Sequence, residues 1–101
     1  MARDNCQNGI PIGDPTWEVI INNEFSDWWW EWDWNRGRIR VDFSSVHDVK
    51  IRLHDRNMII HIYETGRVAV NGRQVLGSPY VPTAGVNIVK NDQSTTVTIV
   101  R

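Results

Sequence analysis

The chain has 101 residues, which is room for one domain of ordinary size and not two. Hydrophobic residues at 41% and charged residues at 23% mark a soluble, folding sequence rather than a disordered or membrane-spanning one. Eleven Lys and Arg against twelve Asp and Glu exclude the basic field that nucleic acid or an anionic membrane surface requires, so neither is an expected partner.

The aliphatic residues are lopsided, with twelve Val and eleven Ile against two Leu and three Ala. β-Branched side chains suit a pleated surface, whereas Leu and Ala lead the helix scale, so strands are expected throughout. Cys6 is the single cysteine, and neither an internal disulfide nor a cysteine-based zinc cage can form within the chain. Its simplest role is half of a disulfide whose partner lies on another chain, as an intermolecular bond, or in a further segment of a longer protein; in a cytosolic protein it would be a free thiol. Residues 1–9 hold no apolar core and do not read as a secretory signal. The apolar runs are far shorter than the roughly 20 residues that span a bilayer. The chain is therefore read either as intracellular or as the mature part of a secreted protein.

In chain order, residues 1–16 are rich in Asn, Gly, Pro and Asp without periodicity and are expected to be a flexible arm, leaving residues 17–101 as a single β domain. Trp17-Glu18-Val19-Ile20-Ile21 reads as the first strand, ended by Asn22-Asn23. Arg38-Ile39-Arg40-Val41-Asp42-Phe43 alternates, which puts Ile39, Val41 and Phe43 on one face and the charges on the other. Val49, Ile51 and Leu53 repeat that pattern, Asp55-Arg56-Asn57 turns the chain, and Met58, Ile60 and Ile62 return on the core face. A turn at Thr65-Gly66 follows. Asn71-Gly72, flanked by Val68-Ala69-Val70 and Arg73-Gln74-Val75, predicts a two-residue type I′ hairpin. Pro79 and Pro82 mark irregular or edge segments, since neither donates to a sheet ladder. Val86-Asn87-Ile88 and Thr96-Val97-Thr98-Ile99-Val100 are the last strands, separated by Lys90-Asn91-Asp92. The predicted fold is all-β, an antiparallel sandwich-like meander of about eight short strands.

The run Trp28-Trp29-Trp30-Glu31-Trp32-Asp33-Trp34 carries the main candidate site. If it is extended, period two sets Trp28, Trp30, Trp32 and Trp34 on one face and Trp29, Glu31 and Asp33 on the other. Two readings stand. The indole stripe fills the core, each ring burying about 150–250 Å²; or it forms a binding surface for a glycan or a protein, with Glu31 and Asp33 at its rim. A glycosidase-like use of Glu31 and Asp33 would need a carboxylate from across a cleft. His47, His54 and His61 lie on different predicted elements and read as strand histidines, not as a metal set. Asp48 beside His47 and Asp55 beside His54 point to opposite faces and do not form acid–base pairs. Asp4, Asp14 and Asp92 are explained by turn chemistry, and no loop offers the alternating oxygen ligands of a calcium site. No nucleotide, zinc-protease or serine-nucleophile motif occurs, so no cofactor, no metal and no catalytic residue is expected.

From residue 49 to residue 100 the order of features resembles the central strands of the von Willebrand factor type D domain. Val49-Lys50-Ile51-Arg52-Leu53 and Met58-Ile59-Ile60-His61-Ile62 lead to Val68-Ala69-Val70-Asn71-Gly72-Arg73-Gln74-Val75, similar to the family's V-x-V-N-G-x-x-V hairpin. Pro79-Tyr80 and Gly85-Val86-Asn87-Ile88 follow, similar to its P-Y and G-V-x-I elements. Trp17-Glu18-Val19-Ile20-Ile21-Asn22-Asn23-Glu24 matches its earlier W-x-V-x-x-x-N-E strand more loosely. Cys6 stands too far before Gly13-Asp14-Pro15, and Thr16 replaces a His, relative to the family's opening segment. The family's later cysteines and its apparent calcium loop have no counterpart here. The resemblance implies an extracellular, non-catalytic interaction or assembly module of a secreted multidomain protein, partnered by another protein or by itself. A carbohydrate-binding module using the Trp stripe is the alternative. An enzyme is third, because some secreted luciferases carry domains of this type.

Overall fold

The computed structural model describes residues 10–12, 16–21, 28–77 and 79–101. Within them run the strands β1 (Ile10–Pro11), β2 (Trp17–Ile21), β3 (Trp28–Asp33), β4 (Arg38–Ser44), β5 (Val49–Leu53), β6 (Met58–Ile62), β7 (Val68–Val70), β8 (Arg73–Val75), β9 (Tyr80–Thr83), β10 (Val86–Lys90) and β11 (Ser94–Val100). They form two antiparallel sheets, in the orders β1-β2-β5-β6-β7-β8 and β3-β4-β11-β10-β9, packed together as a sandwich. The strands exceed the expected eight by β3, whose extension the sequence left open, and by β1 and β9, which are two and four residues long and too short to show a period.

Alternation decides which side chains enter the core. Ile39, Val41 and Phe43 of β4 are buried opposite Ile99, Val97 and Thr95 of β11, while Arg40 points out. Val49, Ile51 and Leu53 of β5 pair with Ile62, Ile60 and Met58 of β6 on the inner face of the other sheet. Each Val or Ile removed from water in this way contributes about 1.5–3 kcal/mol relative to exposure. Trp17 is the largest fully buried side chain, and its indole N–H donates to Asp55 Oδ1 at 2.7 Å. That bond satisfies the one polar atom that burying an indole would otherwise strand.

The stretch read as an arm contributes to the fold at its end. Ile10 pairs with Val19 and Pro11 with Glu18, and Ile12 is fully buried, its N–H donating to the Trp17 carbonyl at 3.0 Å. The Asn71-Gly72 hairpin forms as expected: Val70 pairs with Arg73, and Asn71 and Gly72 have φ of 50° and 84°, the two left-handed residues of a type I′ turn. Asn71 also locks the neighbouring strand, its Oδ1 accepting the Ile59 N–H at 2.8 Å. Pro82 falls in the edge strand β9, where its missing N–H costs no ladder bond. No helix of the described residues is long and apolar enough to cross a membrane. Cys6, Asp4, Asp14, the Gly13-Asp14-Pro15 segment, the Asn22-Asn23 turn and Glu24 lie outside the described residues.

Candidate functional site

β3 is one edge of its sheet, paired with β4 alone among the described residues. Its register sets Trp28 opposite Phe43, Trp30 opposite Val41 and Trp32 opposite Ile39, so these three indoles share one face, as period two required, and that face is the inward one. Trp28 and Trp32 pack against the core and are half-buried. Trp30 is 37% exposed despite facing inward, because an edge strand has cover from one side only. Along this one face, Trp28 and Trp32 pack on the core while Trp30 between them meets solvent.

Trp34 does not continue the stripe. The chain leaves the strand after Asp33, whose Oδ1 accepts the backbone N–H groups of Asn35 and Arg36 at 3.1 and 3.2 Å and so closes a turn that Gly37 completes at φ 61°. Trp34 sits in that turn, 83% exposed, with its ring edge-to-face on Trp32 at 5.2 Å. Asp33 also accepts from the Arg36 guanidinium at 3.0 Å, and this bond, with the Arg36 and Arg38 charges, holds its carboxyl below the usual carboxylate range. A carboxylate held ionised in this way is unsuited to the acid role of a glycosidase, which needs a raised pKa.

The outward face of β3 carries Trp29, Glu31 and Asp33, opposite Asp42, Arg40 and Arg38. Arg40 organises it: its guanidinium lies 4.8 Å from the Trp29 ring centre and 4.0 Å from Glu31, and its Nε donates to Asp42 at 2.9 Å. Thr96 donates to the other Asp42 oxygen at 2.5 Å. Beside this cluster a groove of about 520 Å³ is lined by Trp28, Trp29, Asp42, Ser44, Gln93 and Ser94. Sequence reading singled out Glu31 and the inward indoles but missed Trp29, Arg40 and Asp42. The outward charges of β4 were legible; that β4 lies next to β3 was not.

A comparison of the chain with known protein families, with characterised proteins and with solved structures finds no match.

The histidines are not brought together. His54 Nε2 lies 3.2 Å from Glu18 Oε1, and His61 stacks on Tyr63 at 3.8 Å with Asp48 at 4.0 Å. Burial holds the His61 pKa down, helped by Lys50 and Arg67 and opposed by Asp48. No group of three or more His, Cys, Asp or Glu able to hold a metal occurs among the described residues.

Proposed function

We propose that this protein is a non-catalytic interaction module that docks a partner strand along the edge of β3 that no strand of the described residues covers. The observation that carries the reading is the contrast among the sheet edges of the described residues. β1 and β8 are two and three residues long, and β9 contains Pro82. Short strands and prolines are the usual protection against unwanted strand pairing. β3 runs six residues without Pro or Lys, and the edge it forms bears the exposed indoles of Trp29 and Trp30, with Trp34 just beyond. Main-chain hydrogen bonds along such an edge give affinity, and flanking aromatic side chains give specificity. The resemblance to the von Willebrand factor type D family belongs to the same proposal, and with it an extracellular setting in which Cys6 links to another chain.

The test uses the isotopically labelled protein and a synthetic peptide with the sequence of residues 28–34 as a strand probe. Peptide-induced amide shifts concentrated in β3 and β4 support edge docking; unchanged β3 amides at millimolar peptide overturn it. A second reading, glycan binding, is favoured by the groove beside Trp29, where an indole wall stands next to Asp42, Ser44, Gln93 and Ser94. It predicts shifts of those residues with neutral hexose oligosaccharides in the same experiment.

A further inference from the structure

Resting on the edge-docking reading, we infer that the strand completing β3 is the β3 of a second copy of this chain, paired antiparallel about Trp30. A two-fold axis perpendicular to the sheet leaves each face on its own side. Inward residues must then meet inward residues, and the register can shift only in steps that keep this. Within the six residues of β3, two registers pair five residues. Centred on Glu31, one sets Glu31 against itself, and like charges directly opposite are destabilising. Centred on Trp30, the other sets Trp28 opposite the partner's Trp32, Trp30 opposite the partner's Trp30, and Trp29 opposite the partner's Glu31. Within these five pairs no like charges stand directly opposite.

This register continues what each sheet already has. On the inward face it extends the rows Phe43–Trp28, Val41–Trp30 and Ile39–Trp32 across the axis, and it covers Trp30, which lacks a neighbour on that side among the described residues. On the outward face the partner's Trp29 comes beside Glu31, which lies 4.0 Å from Arg40, the same Arg40 that stacks on its own Trp29. The two five-stranded sheets join into one of ten strands.

Trp29 and Trp30, at 46% and 37% exposure, bring roughly 120–210 Å² of indole per protomer to this register. A standard interface buries about 800 Å² per partner, so the dimer is of modest affinity and its population depends on concentration.

The experiment combines sedimentation of the full chain under reducing conditions with cross-linking in a Cys6→Ser background. Residues directly opposite lie about 4.5–5.5 Å apart at Cα, within the range a disulfide spans. An equimolar mixture of Trp29→Cys and Glu31→Cys chains, oxidised mildly, is expected to give the mixed dimer in about ten-fold excess over either homodimer. The unmodified chain is expected to shift from monomer to dimer between about 1 and 500 µM. A monomer throughout that range, or a Glu31→Cys homodimer forming as fast as the mixed one, overturns the inference. If the chain stays monomeric while the strand peptide still shifts the β3 amides, self-pairing fails and edge docking stands; if neither occurs, both fail. Circular dichroism of each variant reports its fold, and sedimentation of the unmodified chain decides the matter if a variant does not fold.

Discussion

Arg40 stacks its guanidinium 4.8 Å from the centre of the Trp29 ring while its Nε donates to Asp42 at 2.9 Å, so one cation fixes an exposed indole and a half-buried carboxylate at once. The arrangement holds Trp29 upright at the edge of the sheet, where a freely turning ring would lose more rotamer entropy on meeting a partner.

Replacing Arg40 by Ala is expected to cost little stability, about 1 kcal/mol or less, because the guanidinium itself is largely open to solvent and Asp42 keeps the Thr96 hydroxyl as a donor. It is expected to loosen Trp29. Urea unfolding gives the first quantity and a rise in acrylamide quenching of tryptophan fluorescence the second.

The six indoles separate by environment, and truncation reads that out. Trp17→Ala removes a fully buried ring and leaves Asp55 without its indole donor, at a cost of about 3–5 kcal/mol. Trp34→Ala, at 83% exposure, is expected to stay within about 0.5 kcal/mol of the parent. Chemical denaturation of the two variants measures the contrast; equal losses would refute the division into core and surface rings.

The hairpin at Asn71-Gly72 depends on two left-handed residues. Gly72→Ala forces a Cβ into φ 84° and is expected to cost about 1–2 kcal/mol. In a domain of this size that lowers Tm by about 4–8 °C per kcal/mol, within the reach of calorimetry.

Stability is also expected to fall as the solution is acidified below pH 6.5, the ordinary pKa of histidine. The folded protein holds His61 below that value, chiefly by burial, so in this window the unfolded chain binds more protons and gains on the folded one. The contribution is complete above pH 6.5 and is lost progressively as pH falls through the folded pKa. Comparing Tm at pH 7.5 and pH 5.5 for the parent and for His61→Gln tests this: the variant should show the shallower dependence.

Strand content and facing were legible because alternation is local: each residue of Arg38–Ser44 reports its face through its own sequence neighbours. The hairpin was legible for the same reason, since Asn-Gly states its backbone geometry in two residues. That Trp28, Trp30 and Trp32 share a face also followed from period two, but that this face points inward and that Trp34 leaves it did not. Asp33 binds the backbone two and three residues ahead and turns the chain before the stripe can continue.

What the sequence determined by itself is therefore the all-β class, most of the strands and which side chains share a face. Only the tertiary structure decided that β3 is an edge, and hence that Trp30 faces the core and still meets solvent. It also decided that Arg40 reaches Trp29, that Ile10 and Pro11 pair into the first sheet and that Ile12 is buried. Strand neighbours such as Arg40 and Glu31, or Asp42 and Thr96, are set by packing between distant segments. That choice depends on how the whole apolar surface is covered, which the pattern within a single strand does not record.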